Sequence, residues 1–242
     1  MKENRNMMTR LHFIFLLSSS IIFAQLPTSL TKISEPIDGF DEYKGSIYTS
    51  LRYTNSNVID EKSGKYDVKL RYNVFSDNLE FKKGTKLFNI VKSPTTHARI
   101  DEEYFYYCEF KTRRGAKRYG YYVLVDLNEQ YRIYKKYSLK IIDPKKNNSN
   151  ISAEIETPGK LIVITTYYIE EEGEVLELPM QKKELLYVLG DEMSKLKAYI
   201  KKEKIRLRKE DDLIRLVSKY NTIKNYDSGT PQSLLSSMSS KY

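Results

Sequence analysis

The chain has 242 residues and a formal net charge of +9, with 40% hydrophobic residues, 21 Tyr, 9 Phe, no Trp, one Cys and two His. That length suits one domain with a small appendage, and the apolar fraction suffices for a core. A single Cys excludes an internal disulfide. Beyond the first 24 residues the only His and Cys are His97 and Cys108, and those two alone cannot assemble a His/Cys zinc site.

Lys2, Arg5 and Arg10 precede an apolar run, Leu11 to Phe23, which is too short to span a bilayer; Ala24 then offers a cleavage position. The pattern predicts a signal peptide over 1–24, with Ile22 larger than ideal three residues before the cut. His12 would leave with it, and no Cys stands near the site for an acylated anchor. The segment contributes +2 of the net +9, leaving +7. A basic exported chain suits an anionic surface or an acidic protein, and export argues against nucleic acid.

Residues 25–45 read as an extended leader. Ser46 to Tyr53 alternates and is expected to be a strand; Thr54 to Lys65, with NSN and KSGK, is expected to be loop. The strongest pattern is Lys65 to Lys83. Val68, Leu70, Tyr72 and Val74 share one face, and Asp67, Lys69, Arg71 and Asn73 the other. Ser76-Asp77-Asn78 supplies a turn. Leu79 and Phe81 then resume the inward face, with Glu80 and Lys82 outward. Leu87 to Val91 reads as another strand.

Glu103 to Lys111 and Tyr119 to Asp126 form a second predicted hairpin, turning at Gly115. Tyr104 and Tyr106 are expected to face Tyr119 and Tyr121 across it. Tyr131 to Ile142 is a further strand, with Tyr131 and Ile133 facing one way. Asp143 to Asn150 is a polar loop, and Leu161 to Ile169 pairs with Glu174 to Leu178 around Gly173.

From Pro179 the period becomes helical. Leu185, Leu189, Met193, Leu196 and Ile200 form one stripe, which Gly190-Asp191 splits as a C-terminal cap and the next N-cap. Ile205 to Leu207 reads as extended. Glu210-Asp211-Asp212 starts a helix with the stripe Leu213, Leu216, Val217 and Tyr220. Residues 222–242 are Ser-rich and expected to be disordered. The fold class is therefore α+β: mainly antiparallel sheet over 46–179, barrel-like or stacked, then a small helical unit over 180–221.

Three stretches carry a resemblance: LRYNVFSDNLEFKK (Leu70 to Lys83), FKTRRGAKRYGYYVLVD (Phe110 to Asp126) and LKAYIKKEKIRLRKEDDLIRLVSKYN (Leu196 to Asn221), together with the signal ending IIFAQ (Ile21 to Gln25). The chain resembles a family of uncharacterised exported proteins of Bacteroidota, over most of Lys44 to Asn221. The family has no assigned activity, so the resemblance implies export, to the periplasm or the exterior, and supplies no site residue. The Ser-rich tail departs from the family pattern, and no sorting domain is evident.

The basic loop is the candidate binding site: Lys111, Arg113, Arg114, Lys117 and Arg118 surround one turn, and an Arg fork matches carboxylate or phosphate. The plainer reading is a solvated turn, or a basic edge that discourages strand-to-strand aggregation. Asp101-Glu102-Glu103 and Glu170-Glu171-Glu172 could supply a glycosidase-like acid/base pair; solvated charge runs are the simpler reading. Cys108 reads as buried and inert. No catalytic residue, metal ligand or cofactor is indicated. The expectation is a non-enzymatic cell-envelope protein that binds another protein or an anionic surface. The alternatives are a carbohydrate-binding or carboxylate-dependent glycan-active protein and a structural subunit of an envelope assembly. The helical stripes are expected to cover the sheet, with docking to a partner or membrane as the alternative.

Overall fold

Alternation over Lys65 to Val74 does produce a hairpin, and a computed structural model describing residues 26–112, 114–146, 155–190 and 193–224 shows what it packs on. After a 3-10 turn at Thr28–Leu30, the first strands are β1 (Thr31–Ser34), β2 (Tyr43–Gly45), β3 (Thr54–Asp60), β4 (Gly64–Asn73), β5 (Asn78–Lys83), β6 (Lys86–Ile90) and β7 (Thr96–Ile100). Then come β8 (Glu103–Thr112), β9 (Lys117–Leu127), β10 (Arg132–Ile142), a two-stranded appendage of β11 (Lys145–Lys146) and β12 (Ile155–Thr157), β13 (Gly159–Glu171) and β14 (Glu174–Leu178). Three helices end the chain: α1 (Lys182–Val188), α2 (Met193–Lys202) and α3 (Glu210–Lys224).

The fold is α+β, with mostly antiparallel sheet followed by the helical unit. Strands β1, β6, β5, β4, β3 and β7 lie side by side as an open sheet joined to β8. From β8 the pairing closes on itself. β8 pairs with β9, β9 with β10, β10 with β13 and β13 with β14. β14 returns to β8 in parallel at Glu174↔Lys111 and Val175↔Thr112. The result is a five-stranded barrel.

The barrel serves three cores. Its interior collects Cys108, Phe110, Tyr122, Tyr134, Tyr168 and Val175, so every strand of the circuit contributes. A barrel this small is filled by its own side chains. One outer flank carries Phe105, Tyr121 and Val123, with Tyr137 and Leu139, against Val58, Leu70, Tyr72, Leu79 and Phe81 of the open sheet. The other flank carries Tyr131, Ile133, Ile169 and Leu178 against the helices. Strand β10 thus turns successive side chains to helices, interior and open sheet.

The helices follow the predicted stripes. Leu185, Leu189, Leu196 and Ile200 are buried, as are Leu213, Leu216, Val217 and Tyr220. Their apolar faces cover the barrel. Met193 is the exception, at 43% exposed. Gly190, at φ +68°, ends the first helical segment as a cap would. Ile205 and Leu207 are buried but form no strand. Helix α3 runs to Lys224, past the expected start of the tail. The N-terminal segment, the proposed cap Asp191 and the tail from Asn225 lie outside the described residues.

Several expectations need correction. Ser46 to Tyr53 is not a strand: it bends over β4 with a single bridge, Tyr48↔Asn73. The expected loop after it contains β3, which pairs with both β4 and β7. Two-sided ladder pairing and the full burial of Val58 outweigh the turn propensity of its Asn and Ser residues. The leader segment carries β1 and β2, paired to β6 and β13. Glu80 and Asn73, expected outward, are buried at 2% and 0% exposed.

Candidate functional site

The β8–β9 turn is built as its sequence suggests. Gly115 takes φ +80°, its N–H donates to the Thr112 carbonyl at 2.7 Å, and the Ala116 N–H donates to Thr112 Oγ1 at 3.1 Å. The four described cations of the turn do not form one cluster. Arg113 lies outside the described residues. Lys111 and Lys117 stand directly opposite each other. Lys117 pairs with Glu109 at 2.9 Å, and that hydrogen bond holds its pKa above the usual lysine value. Glu109 also accepts from the Tyr119 hydroxyl at 3.1 Å. Arg118 turns back to donate to the Tyr168 hydroxyl at 3.1 Å, with its guanidinium 5.8 Å from that ring. Lys111 and Arg114 are exposed, and among the described residues neither forms an ion pair.

The expected tyrosine pairing is shifted. Tyr107 faces Tyr121, Tyr106 faces Tyr122, and Glu109 faces Tyr119. The resulting ring contacts are Tyr107–Tyr121 at 5.7 Å on the outer flank and Phe110–Tyr122 at 4.9 Å inside. The tyrosines are core and ladder residues, with Tyr119 the most exposed of them at 52%.

Several polar side chains around the barrel pair with one another, although the Tyr121 and Tyr134 hydroxyls are buried without partners among the described residues. Asp77, at φ +53° in the β4–β5 turn, accepts from the Tyr72 hydroxyl at 2.5 Å and from the Tyr121 N–H at 3.2 Å. Lys136 approaches it at 3.5 Å and Lys92 at 3.7 Å. Lys136 also donates to the Tyr121 carbonyl at 3.3 Å and lies 4.7 Å from the Tyr122 ring centroid. Burial pulls the Lys136 ammonium below its ordinary pKa, and Asp77 opposes that pull. Gly120 makes room for the group. At φ +143°, a Cβ there would stand 2.2 Å from Lys136 Nζ and 2.6 Å from Asp77 Oδ2. Sequence reasoning treated Asp77 as a turn former only, and nothing local reveals that it reaches β9.

The two acidic runs are not simply solvated. Glu103 accepts from the Tyr137 hydroxyl at 2.5 Å and pairs with Lys135 at 2.8 Å. Lys135 also meets Glu210 at 3.0 Å, fastening α3 to the barrel. Burial would lower the Lys135 pKa, and the hydrogen bonds to Glu103 and Glu210 outweigh it and raise it. Glu170, 3% exposed, pairs with Arg132 at 3.1 Å and accepts from the Gly173 N–H at 2.6 Å. Each run therefore places one carboxylate on an internal cation. Asp101 and Glu172, at φ +52° and +53°, occupy turns.

Cys108 is 1% exposed; burial pushes its thiol pKa well up, and its sulfur contacts the Tyr106 carbonyl at 3.6 Å. A raised thiol pKa suppresses thiolate and reactivity. His97 stacks on Tyr106 at 4.8 Å, and burial lowers its pKa. Among the described residues no three His, Cys, Asp or Glu side chains gather as a metal site. No helix among them is long and apolar enough to cross a membrane.

No protein-family model matches this chain, no curated protein matches it, and no solved structure matches it.

Proposed function

We propose that the protein is an exported, non-enzymatic binding module of the cell envelope that engages an acidic protein partner through the outer face of the β8–β9 turn. Membership of the exported Bacteroidota family is part of this reading. The observation that carries it is the contrast in charge satisfaction. Glu170, Glu103, Lys135 and Lys136 are closed on internal partners, whereas Lys111 and Arg114 are exposed and outside any described ion pair. Exposed Tyr119 lies on the same hairpin. Tyr and Arg are residue types enriched where proteins meet.

The test is crosslinking and pull-down with the processed chain from its native envelope fraction, beside the Lys111→Ala, Arg114→Ala double variant. A discrete partner that the double variant loses is the expected result. A partner captured equally by both forms would remove the turn from the site. Capture of no partner would overturn the binding reading.

A further inference from the structure

β9 stays paired with β10 only to Lys135. Beyond it β10 continues with β13 alone, and the register sets Ser138 opposite Ile164, Lys140 opposite Ile162 and Ile142 opposite Lys160. Residues directly opposite in an antiparallel pair share a face, so these six side chains stand together. Lys44 of β2 lies beside Lys160 and joins them. The reverse face of the ribbon is committed along most of its length, because Tyr137, Leu139 and Val163 pack on the core beneath the open sheet, and only Ile141 at its end is 41% exposed.

Among the described residues the free face is partly open to solvent. Ile142, Ile162 and Ile164 are 41%, 42% and 40% exposed, and Lys44, Lys140 and Lys160 are exposed among them. No carboxylate occupies these seven positions. Solvated sheet faces are ordinarily polar, so three isoleucines alternating with lysines call for an occupant that is apolar and anionic together. Protein interfaces are enriched in Tyr, Trp and Arg and depleted in Lys, and this face has Lys and Ile alone beside one Ser. Lysine stems can lie along the isoleucines with the ammonium groups reaching outward to phosphate.

We propose that this isoleucine–lysine face is a peripheral membrane contact that docks on an anionic bilayer surface. The isoleucines enter the boundary between headgroups and acyl chains, and the three lysines meet lipid phosphates. Among the described residues, the ribbon's outer backbone edges, 136–142 and 162–166, pair with no strand. Unpaired peptide groups need water, so the ribbon rests in the headgroup layer and does not traverse the bilayer. The contact is separate from the β8–β9 turn and goes beyond the protein-binding role proposed for it.

The experiment is co-sedimentation of the processed chain with vesicles of phosphatidylglycerol and phosphatidylcholine, against phosphatidylcholine alone. A polarity-sensitive thiol dye on Ile162→Cys localises the contact, since Cys108 is too buried to compete for it. Expected are binding to the anionic vesicles only, a blue shift of the dye at 162 and none on Tyr187→Cys. Each lysine beside an anionic surface is worth about five-fold in partitioning. The Lys44→Gln, Lys140→Gln, Lys160→Gln variant should therefore bind roughly 100-fold more weakly, while the double alanine variant of the turn binds as the parent does. Absence of vesicle binding, binding with an unshifted dye at 162, or undiminished binding by the triple variant would each overturn the assignment.

Discussion

Two buried arginine–glutamate pairs, one in the open sheet and one in the barrel, use the same chemistry to different ends. In the open sheet, Glu80 accepts from both Nε and Nη2 of Arg71, at 3.0 and 2.8 Å, and from the Asn73 amide at 2.7 Å. Arg71 also donates to the Tyr48 hydroxyl at 2.6 Å, and its guanidinium lies 3.6 Å from the Tyr48 ring centroid and 4.5 Å from that of Tyr53. Burial, with Glu80 next, pushes the Tyr48 pKa up to about 12. Both Glu80 oxygens and the Arg71 Nε and Nη2 donors are met, with the Tyr53 hydroxyl nearby the one buried orphan, and the group holds the irregular 46–53 segment onto β4. In the barrel, Arg132 donates one N–H to Glu170, while Arg132 Nε and the Tyr134 hydroxyl are buried without partners. A buried pair stabilises only when its remaining donors and acceptors are also met. The open-sheet pair meets that condition, and the barrel pair does not.

The largest expected effect is at the complete pair. Glu80→Ala strands the Arg71 charge and the Asn73 amide and should cost about 3–5 kcal/mol in denaturant unfolding. Glu170→Ala should fall at or below the low end, about 3 kcal/mol; equal losses would break the comparison. Replacing whole pairs sharpens it. Arg132→Met with Glu170→Leu should be neutral or stabilising by about 1–4 kcal/mol. Arg71→Met with Glu80→Leu should destabilise, because Asn73 and Tyr48 lose their partners, at about 1–3 kcal/mol for each orphaned group.

Hydroxyl deletions follow the same logic at smaller scale. Tyr72→Phe removes the bond to Asp77 and should lower stability by about 1.5–3 kcal/mol. Tyr134→Phe removes a hydroxyl that bonds to nothing and should change stability by less than about 1 kcal/mol, in either direction. A matching loss in both would show that the Tyr134 hydroxyl is bonded in solution.

The smallest effect is titration of His97, which belongs to the open sheet. Burial holds its pKa below the usual 6.5, so beneath that pH the unfolded chain binds more protons than the folded one. Stability should fall as pH drops through 6.5, and His97→Gln should lack that increment in parallel melts at pH 7 and 5.5. Identical pH dependence in both proteins would remove His97 from the account.

Periodicity revealed what single elements encode. Leu70 and Tyr72 on one face of β4, and Leu213, Leu216, Val217 and Tyr220 on α3, are buried where the pattern put them. Contacts between distant elements left weaker marks. β3 has turn-like residues and becomes a strand because neighbours flank it on both sides. Ser46 to Tyr53 has strand-like alternation, yet Tyr48 and Tyr53 turn to clasp Arg71. One miss was recoverable. A four-residue turn after Asn73 sets Arg71 opposite Glu80, and their opposite charges on one face signal a pair. The basic turn was legible as a cluster of letters, but its division between Glu109, Tyr168 and solvent depended on strand register and barrel closure.

That closure rests on two residue pairs between β8 and β14, strands separated by everything from β9 to β13. Contacts so distant along the chain form late, because the intervening loop must first be ordered. A ribosome working from the N-terminus delivers β1 to β8 long before it delivers β14. Cys108 lies in the interior that β14 completes and is 1% exposed once the barrel is closed, so its burial depends on that last strand. Loss of thiol labelling at Cys108 is therefore the expected signal that the barrel has closed.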